Sequence, residues 1–311
     1  MNTLILPQQW LAAFQKAIQN GYGHRELRIG IFRETHTLVQ QGFYETLGQI
    51  IPFPILPIHA NTQLYAVAPQ YIPIKPTKVK TKIEVRDEDY VTSLLETQSK
   101  SLFPCLVNMG NRQLPGDGAI LGADHPEAEL LRRSNLFQSI FQFADFGLTH
   151  GVPRNIQASY PLERETGAVY SPYISIFRGT EQNGYPLFTH PCLTHVITVP
   201  PIKSPRLIET SNRVIQLHPD FIEPTKIKIR TIFRLAAIKG HNALILGAFG
   251  CGLYKNPPLH IAQLFKEVLQ ESDFKNYFHT IIFSISTETE ICQHHNPEGN
   301  FRPFQAVFQD S

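Results

Sequence analysis

Long apolar runs are missing from this 311-residue sequence. No window approaches the ~20 consecutive apolar residues that a helix needs to cross a bilayer, so no membrane partner is expected. Charge of one sign is also lacking: 28 Lys and Arg face 26 Asp and Glu. Such a balance creates no field that would draw the chain to nucleic acid or to an anionic surface, and a small or local partner is expected. Cysteine is sparse. Cys105, Cys192, Cys251 and Cys292 lie far apart and form no C-x-x-C pair, which argues against a zinc ribbon or a disulfide framework and for a reducing, cytoplasmic setting. The N-terminus has no charged segment followed by a continuous apolar run, so no secretory signal of that kind is legible; export by another signal stays open.

What is present is an ordinary globular composition, with a hydrophobic share of 42%, 21 Phe and 11 Tyr. The N-terminal stretch reads as an amphipathic helix with Trp10, Phe14 and Ile18 on its buried face, and Arg25 to Gln41 as a second helix. Pro52, Pro54, Pro57, Pro69, Pro73 and Pro76 then crowd one stretch. They remove donors and push their predecessors to extended geometry, which predicts loop and edge strand. KTKIEVRDEDYV alternates like a strand, and SLFPCLVNMG supplies a short buried one. Near the C-terminus, Pro224 to Lys239 carries Ile229, Ile232, Phe233 and Ala236 at helical spacing and stops at Gly240. ALILG, a glycine loop, a helix over Pro257 to Gln270 and the strand HTIIFSI complete a crossover unit of a largely parallel sheet. The fold class is therefore α/β. Three segments are expected: a helical extension over 1–50, a proline-rich accessory over 51–80 and a core over 81–311.

Two loops carry the chemistry. Gly247, Gly250 and Gly252 follow a buried strand and precede a helix, a setting in which backbone N–H groups can surround a diphosphate. The pattern matches neither the dinucleotide fingerprint nor the Walker loop. In LPGDGAILGADHPEAELLRRSNLF, glycines stand beside Asp117, Asp124 and Glu127. At a helix start Asp124 and Glu127 can serve as N-cap and first-turn acid, or as catalytic groups. His294 and His295 have no neighbouring metal-binding cluster and read as a surface loop, so no metal and no cofactor are expected. Cys251 has no histidine fixed nearby in sequence to activate it. Lys75, Lys78, Lys80 and Lys82 read as a solvated strand face.

NMGNRQLPGDG followed by ILGADHPEAELLRRSNLF resembles the microbial type of poly(ADP-ribose) glycohydrolase, a macrodomain family. RELRIGIFRETHTLVQQGFY, YPLERETGAVYSPYISIFR, HVITVPP and ALILGAFGCGLYKNPP agree with it in order. The resemblance implies a three-layer α/β/α sandwich with a mixed, largely parallel sheet and an N-terminal helical extension. It implies binding of ADP-ribose or ADP-ribosylated protein and hydrolysis of an ADP-ribose linkage by a chain expected to be monomeric. Carried over by motif, Asn108, Gly116 and Gly118 would border the distal ribose. Gly247, Ala248, Phe249, Gly250, Cys251, Gly252, Leu253 and Tyr254 would hold the diphosphate, with the rings of Phe249 and Tyr254 either bordering the ligand or packing the loop. An ungapped register on LLRRS places Pro126, Glu127 and Ala128 on the family's Gln-Glu-Glu, so the second, catalytic glutamate is replaced by Ala128. Asp117 stands on the family's middle glycine, as a new carboxylate or as the mark of an erased site. Hydrolase, non-catalytic reader and degenerate scaffold all follow from these departures, with Asp117, Asp124 and Glu127 as the catalytic candidates of the first.

Overall fold

The computed structural model describes residues 6–67, 69, 80–116, 118–288 and 292–309. In chain order the elements begin with α1 (Pro7–Asn20), α2 (His24–Gln41), β1 (Phe43–Thr46), β2 (Gln49–Pro52), α3 (Ile58–Asn61) and β3 (Gln63–Tyr65). There follow β4 (Lys82–Arg86), α4 (Tyr90–Ser99), β5 (Pro104–Asn108), α5 (Pro126–Arg133), α6 (Leu136–Ile140), β6 (Ala168–Arg178) and β7 (Leu187–Thr198). The chain closes with β8 (Leu207–Glu209), β9 (Ile215–Leu217), α7 (Ile222–Ile238), β10 (Ala243–Leu246), α8 (Pro258–Leu269), β11 (Thr280–Ser284) and α9 (Phe301–Phe308). Two compact units form, neither of them a single run of chain: 1–63 with 113–161 and 171–194, and 64–112 with 162–170 and 195–311.

The second unit holds residues of all seven strands of a sheet ordered β3-β6-β7-β5-β10-β11-β4. β5 runs parallel to β7 and β10, and β11 runs parallel to β10 and β4. Strand alternation sends Cys105, Val107, Leu244, Leu246, Ile281 and Phe283 into one core with α7, α8 and α9. The intervening Leu106, Ile245 and Ile282 are equally buried and so face the other side, where α4 contacts β5, β10 and β11. A helix layer on each face explains why β5, β10 and β11 read as continuous apolar runs. Ile229, Ile232, Phe233 and Ala236 of α7 are all buried, as their spacing predicts. β10, α8 and β11 form the expected crossover, with Ala243 opposite Thr280. α4 and α9 are found without having been predicted; α4 starts at Asp89, whose carboxylate accepts from the Val91 N–H at 3.3 Å.

The first unit is built on α2, which buries Arg28, Ile31, Phe32, Thr35, Leu38 and Val39. On α1, Trp10 is fully buried, stacks on Phe14 at 4.6 Å and meets Tyr185 edge-on at 5.2 Å. Ile18, expected on the same face, is 54% exposed, and Ala17 takes its place. Seven residues bring a helix back to within about 20° of its starting direction, whereas eight leave it about 80° off. The proline-rich stretch contributes a single helical turn, α3, and the edge strand β3. Pro73, Pro76, Lys75 and Lys78 lie outside the described residues, while Lys80 and Lys82 are exposed.

Candidate functional site

In the second unit, β5 ends at Asn108, which is 3% exposed. Its amide donates to Thr198 Oγ1 at 3.1 Å, and its carbonyl accepts from the Val199 N–H at 3.0 Å. The 247–256 loop leaves β10 and turns at Gly250, where φ is +74°. A Cβ there would lie 2.7 Å from both Pro201 Cβ and Asn256 Nδ2, so no side chain is tolerated. Asn256 is the internal brace of the loop: its amide donates to the carbonyls of Ile202 at 2.8 Å, Gly250 at 3.0 Å and Tyr254 at 3.2 Å. His295 Nε2 donates to the Cys251 carbonyl at 2.7 Å, and burial lowers the pKa of that imidazole. His295 is 4% exposed, not part of a surface loop; His294 beside it is exposed.

The candidate residues of this loop therefore differ in what they offer. Phe249 is 2% exposed and packs edge-on against Phe265, which leaves only its backbone for a ligand. The Cys251 thiol is buried, contacts the Phe249 carbonyl at 3.6 Å and is pushed well up by burial, so it is a poor nucleophile. Leu253 is exposed, and Ala248 and Tyr254 are half-buried, with Lys203 Nζ 5.9 Å from the Tyr254 ring centre. A Cβ at Gly252 meets nothing within 4 Å, and one at Gly247 comes to 3.1 Å from Met109 Cε.

In the first unit, Gly116 has φ +79° and packs so closely that a Cβ would lie 2.8 Å from Leu131 Cδ2 and 3.0 Å from Phe141. Gly118 also has positive φ and starts the 3-10 turn Ala119–Leu121. Asp117, between them, lies outside the described residues. The N-cap of α5 is His125, not Asp124: its Nδ1 accepts from the Ala128 N–H at 3.2 Å, which places the proton of the neutral ring on Nε2. Asp124 is exposed and lies 3.1 Å from Arg28. Glu127 and Ala128 are both completely buried, whereas Glu129 is partly exposed and turned to Arg133 at 3.6 Å.

A clamp that sequence reasoning missed holds the entry to α5. Glu181 accepts two hydrogen bonds from Arg28, at 2.6 and 2.7 Å, and one from the Tyr185 hydroxyl at 2.9 Å. Arg132 donates to Tyr185 Oη at 2.7 Å and to the Ala123 carbonyl at 2.9 Å. Burial works to raise the pKa of the Glu181 carboxyl, but hydrogen bonding and charge from Arg28 and Arg132 prevail and hold it below the ordinary value. The one available signal was the arginine pair in LLRR: a guanidinium on a buried helix requires acceptors from elsewhere in the chain. Tyr160 ends the 154–160 loop. Its N–H donates to the Phe143 carbonyl at 3.0 Å, while its buried hydroxyl has no hydrogen-bond partner among the described residues. Burial, and then the charge of Glu127, raise its pKa well above the ordinary value, so it is an O–H donor at any working pH. Among the described residues no cluster of three His, Cys, Asp or Glu could hold a metal ion, and no helix is long and apolar enough to cross a membrane.

Residues 33–179, just under half the chain, match the family model of the microbial-type PARG, catalytic domain. The resemblance read in the sequence is thereby borne out over that stretch, which includes the first glycine loop, α5, the clamp's Arg132 and Tyr160. The poly(ADP-ribose) glycohydrolase of Thermomonospora curvata has a similar structure, with a TM-score of 0.68 and 23% identity over 91% of this chain and 98% of that one. The same enzyme bound to the inhibitor ADP-HPD aligns with a TM-score of 0.65 and 21% identity, again over 91% and 98%. The Deinococcus radiodurans enzyme in complex with ADP-ribose aligns with a TM-score of 0.57 and 20% identity over 82% of this chain and 98% of that one. These structures extend the shared fold, a macrodomain-like α/β architecture, to about nine tenths of the chain. No curated protein matches the sequence.

Proposed function

We propose, on the premise that residues 33–179 match the model of the microbial-type PARG catalytic domain, that the protein binds ADP-ribose and hydrolyses an ADP-ribose linkage on a modified protein or small adduct. The observation that carries this reading is the state of the 247–256 loop. Gly250 has the backbone that only glycine adopts easily, and Asn256 and His295 brace the loop from within, so it is preorganised to receive a diphosphate on backbone N–H groups. A degenerate scaffold has no reason to keep such bracing. Within the first unit, Gly116, Gly118 and Glu127 are assigned to the distal ribose. Breaking the N- or O-glycosidic bond passes through an oxocarbenium-like state, which a carboxylate stabilises while orienting a water. Glu127, Asp124 and Asp117 are the candidates for that role, and the buried Ala128 supplies none.

One feature favours the second reading, a non-catalytic reader: the position aligned with the family's catalytic glutamate is Ala128. Calorimetric titration with ADP-ribose, followed by an assay for ADP-ribose released from a modified protein, separates the cases. Binding with release supports the hydrolase, binding without release supports the reader, and absence of binding refutes both.

A further inference from the structure

One N–H of the 247–256 loop is already engaged. Gly250, at the positive-φ turn, donates to the Met109 sulfur at 3.3 Å. The same side chain lies along the start of the loop, since a Cβ at Gly247 would come to 3.1 Å from Met109 Cε. Met109 directly follows β5, the strand that pairs with β10, from which the loop departs. All three residues belong to the second unit. A thioether is a weak acceptor, whereas an ionised phosphate oxygen takes an N–H in a hydrogen bond about twice as strong as a neutral one. An anionic ligand therefore displaces the sulfur at little cost.

Oxidation reverses that balance. Met109 is half-buried, so a small oxidant reaches its sulfur. With a peroxide, the sulfur lone pair attacks the terminal oxygen, and the S–O bond forms as the O–O bond breaks. The proton of the attacked oxygen passes to the departing one, which leaves as water or an alcohol; sulfur gives up two electrons and the peroxide takes them. The sulfoxide is polar, and its oxygen accepts an N–H far better than a thioether does. We propose that Met109 is a redox modification site that latches the diphosphate loop: as a thioether it yields the Gly250 N–H to an anionic ligand, and as a sulfoxide it keeps it. This rests on the ADP-ribose reading above.

The test treats the full chain with hydrogen peroxide and then dithiothreitol, which returns reversibly oxidised thiols such as the exposed Cys292 to their starting state. The sequence holds two methionines, Met1 and Met109, so one added oxygen on the Met109 peptide is assigned directly by mass spectrometry. In calorimetric titration the oxidised protein binds ADP-ribose at least about ten-fold more weakly, and methionine sulfoxide reductase restores the affinity. Met109→Leu, which retains Cys292, binds at least as tightly as the parent and is indifferent to peroxide. Without ligand, the Gly250 amide proton moves downfield on oxidation while the rest of the amide spectrum stays that of the folded protein. Resistance of Met109 to peroxide overturns the proposal, as does unchanged affinity after its oxidation. A loss of affinity that Met109→Leu shares, or one that comes with collapse of the folded amide spectrum, also overturns it. If Met109→Leu does not fold, the cycle of oxidation and enzymatic reduction on the parent decides alone. A parent that binds and ignores oxidation leaves the ADP-ribose reading standing and removes only the latch; a parent that binds no ADP-ribose before oxidation refutes that reading, and the latch with it.

Discussion

The two glycine loops of this protein are held in place in different ways. The 247–256 loop keeps its glycine where geometry demands one and is braced by Asn256 and His295, so its backbone is a finished object before any ligand arrives. The 113–128 region holds the close-packed Gly116 and the clamp of Arg28, Glu181, Tyr185 and Arg132, and its carboxylates differ in setting: Asp124 is exposed beside Arg28, Glu127 fully buried. The difference teaches that the two loops are held by different means: one by a glycine turn and amide-to-carbonyl hydrogen bonds, the other by a clamp of charged and phenolic side chains.

Gly250 offers the sharpest way to break the comparison. Gly250→Ala forces a Cβ into Pro201 and Asn256 at a strained φ, so ADP-ribose affinity falls by at least about 100-fold and stability by roughly 1–3 kcal/mol. Gly252→Ala, where a Cβ meets nothing, leaves both within experimental error. Calorimetry and urea unfolding on the two variants check the contrast. Equal behaviour would mean that the loop's precision is irrelevant to binding.

Acid should weigh more on the second unit than on the first, where burial lowers the pKa of one imidazole, His59. In the second, the Tyr170 hydroxyl lies 2.9 Å from His195 Nδ1 and 3.0 Å from His241 Nε2, and burial lowers these imidazoles to about 4 and about 3. A histidine whose folded pKa is depressed contributes stability that is present above the unfolded value of 6.5 and is lost as pH falls towards the folded values. Glu181 in the first unit, held below its ordinary 4.5, keeps its contribution until the pH drops under that value. Between pH 6.5 and 4.5, unfolding free energy should therefore fall by on the order of 3 kcal/mol, owing to the second unit's histidines, and His195→Asn should remove about half of the loss. Urea unfolding at several pH values reads this directly, and an unchanged slope in the variant assigns the acid sensitivity elsewhere.

Smaller effects concern the chemistry of the first loop. Glu127→Gln should slow ADP-ribose release by about 100-fold while changing affinity only a few-fold, because the charge acts mainly on the developing cation. If release persists at the parent rate, the catalytic carboxylate lies elsewhere in the acidic group, and Asp117→Asn and Asp124→Asn locate it. Ala128→Glu, alone and with Asp117→Gly, should add about ten-fold activity on poly(ADP-ribose) wherever the variant folds. The fully buried Ala128 makes that gain the smallest expected, since a glutamate there must be accommodated inside the fold.

Local pattern alone determined a good deal. The apolar runs of β5, β10 and β11, the helical spacing in α7 and α8, and the glycines of both loops are signals carried by neighbouring residues, and chain geometry turns them into elements without knowledge of the rest. Tertiary structure decided what these residues meet. It buried His295 against the Cys251 carbonyl, made His125 instead of Asp124 the cap of α5, left Asp124 exposed beside Arg28, and sent the Phe249 ring into the core. It brought Glu181 and Tyr185 to Arg28 and Arg132. Apart from the His125 cap, which is local, these partners lie from 16 to 153 residues apart in sequence, and no short-range period encodes a contact that exists only after the chain has folded back on itself.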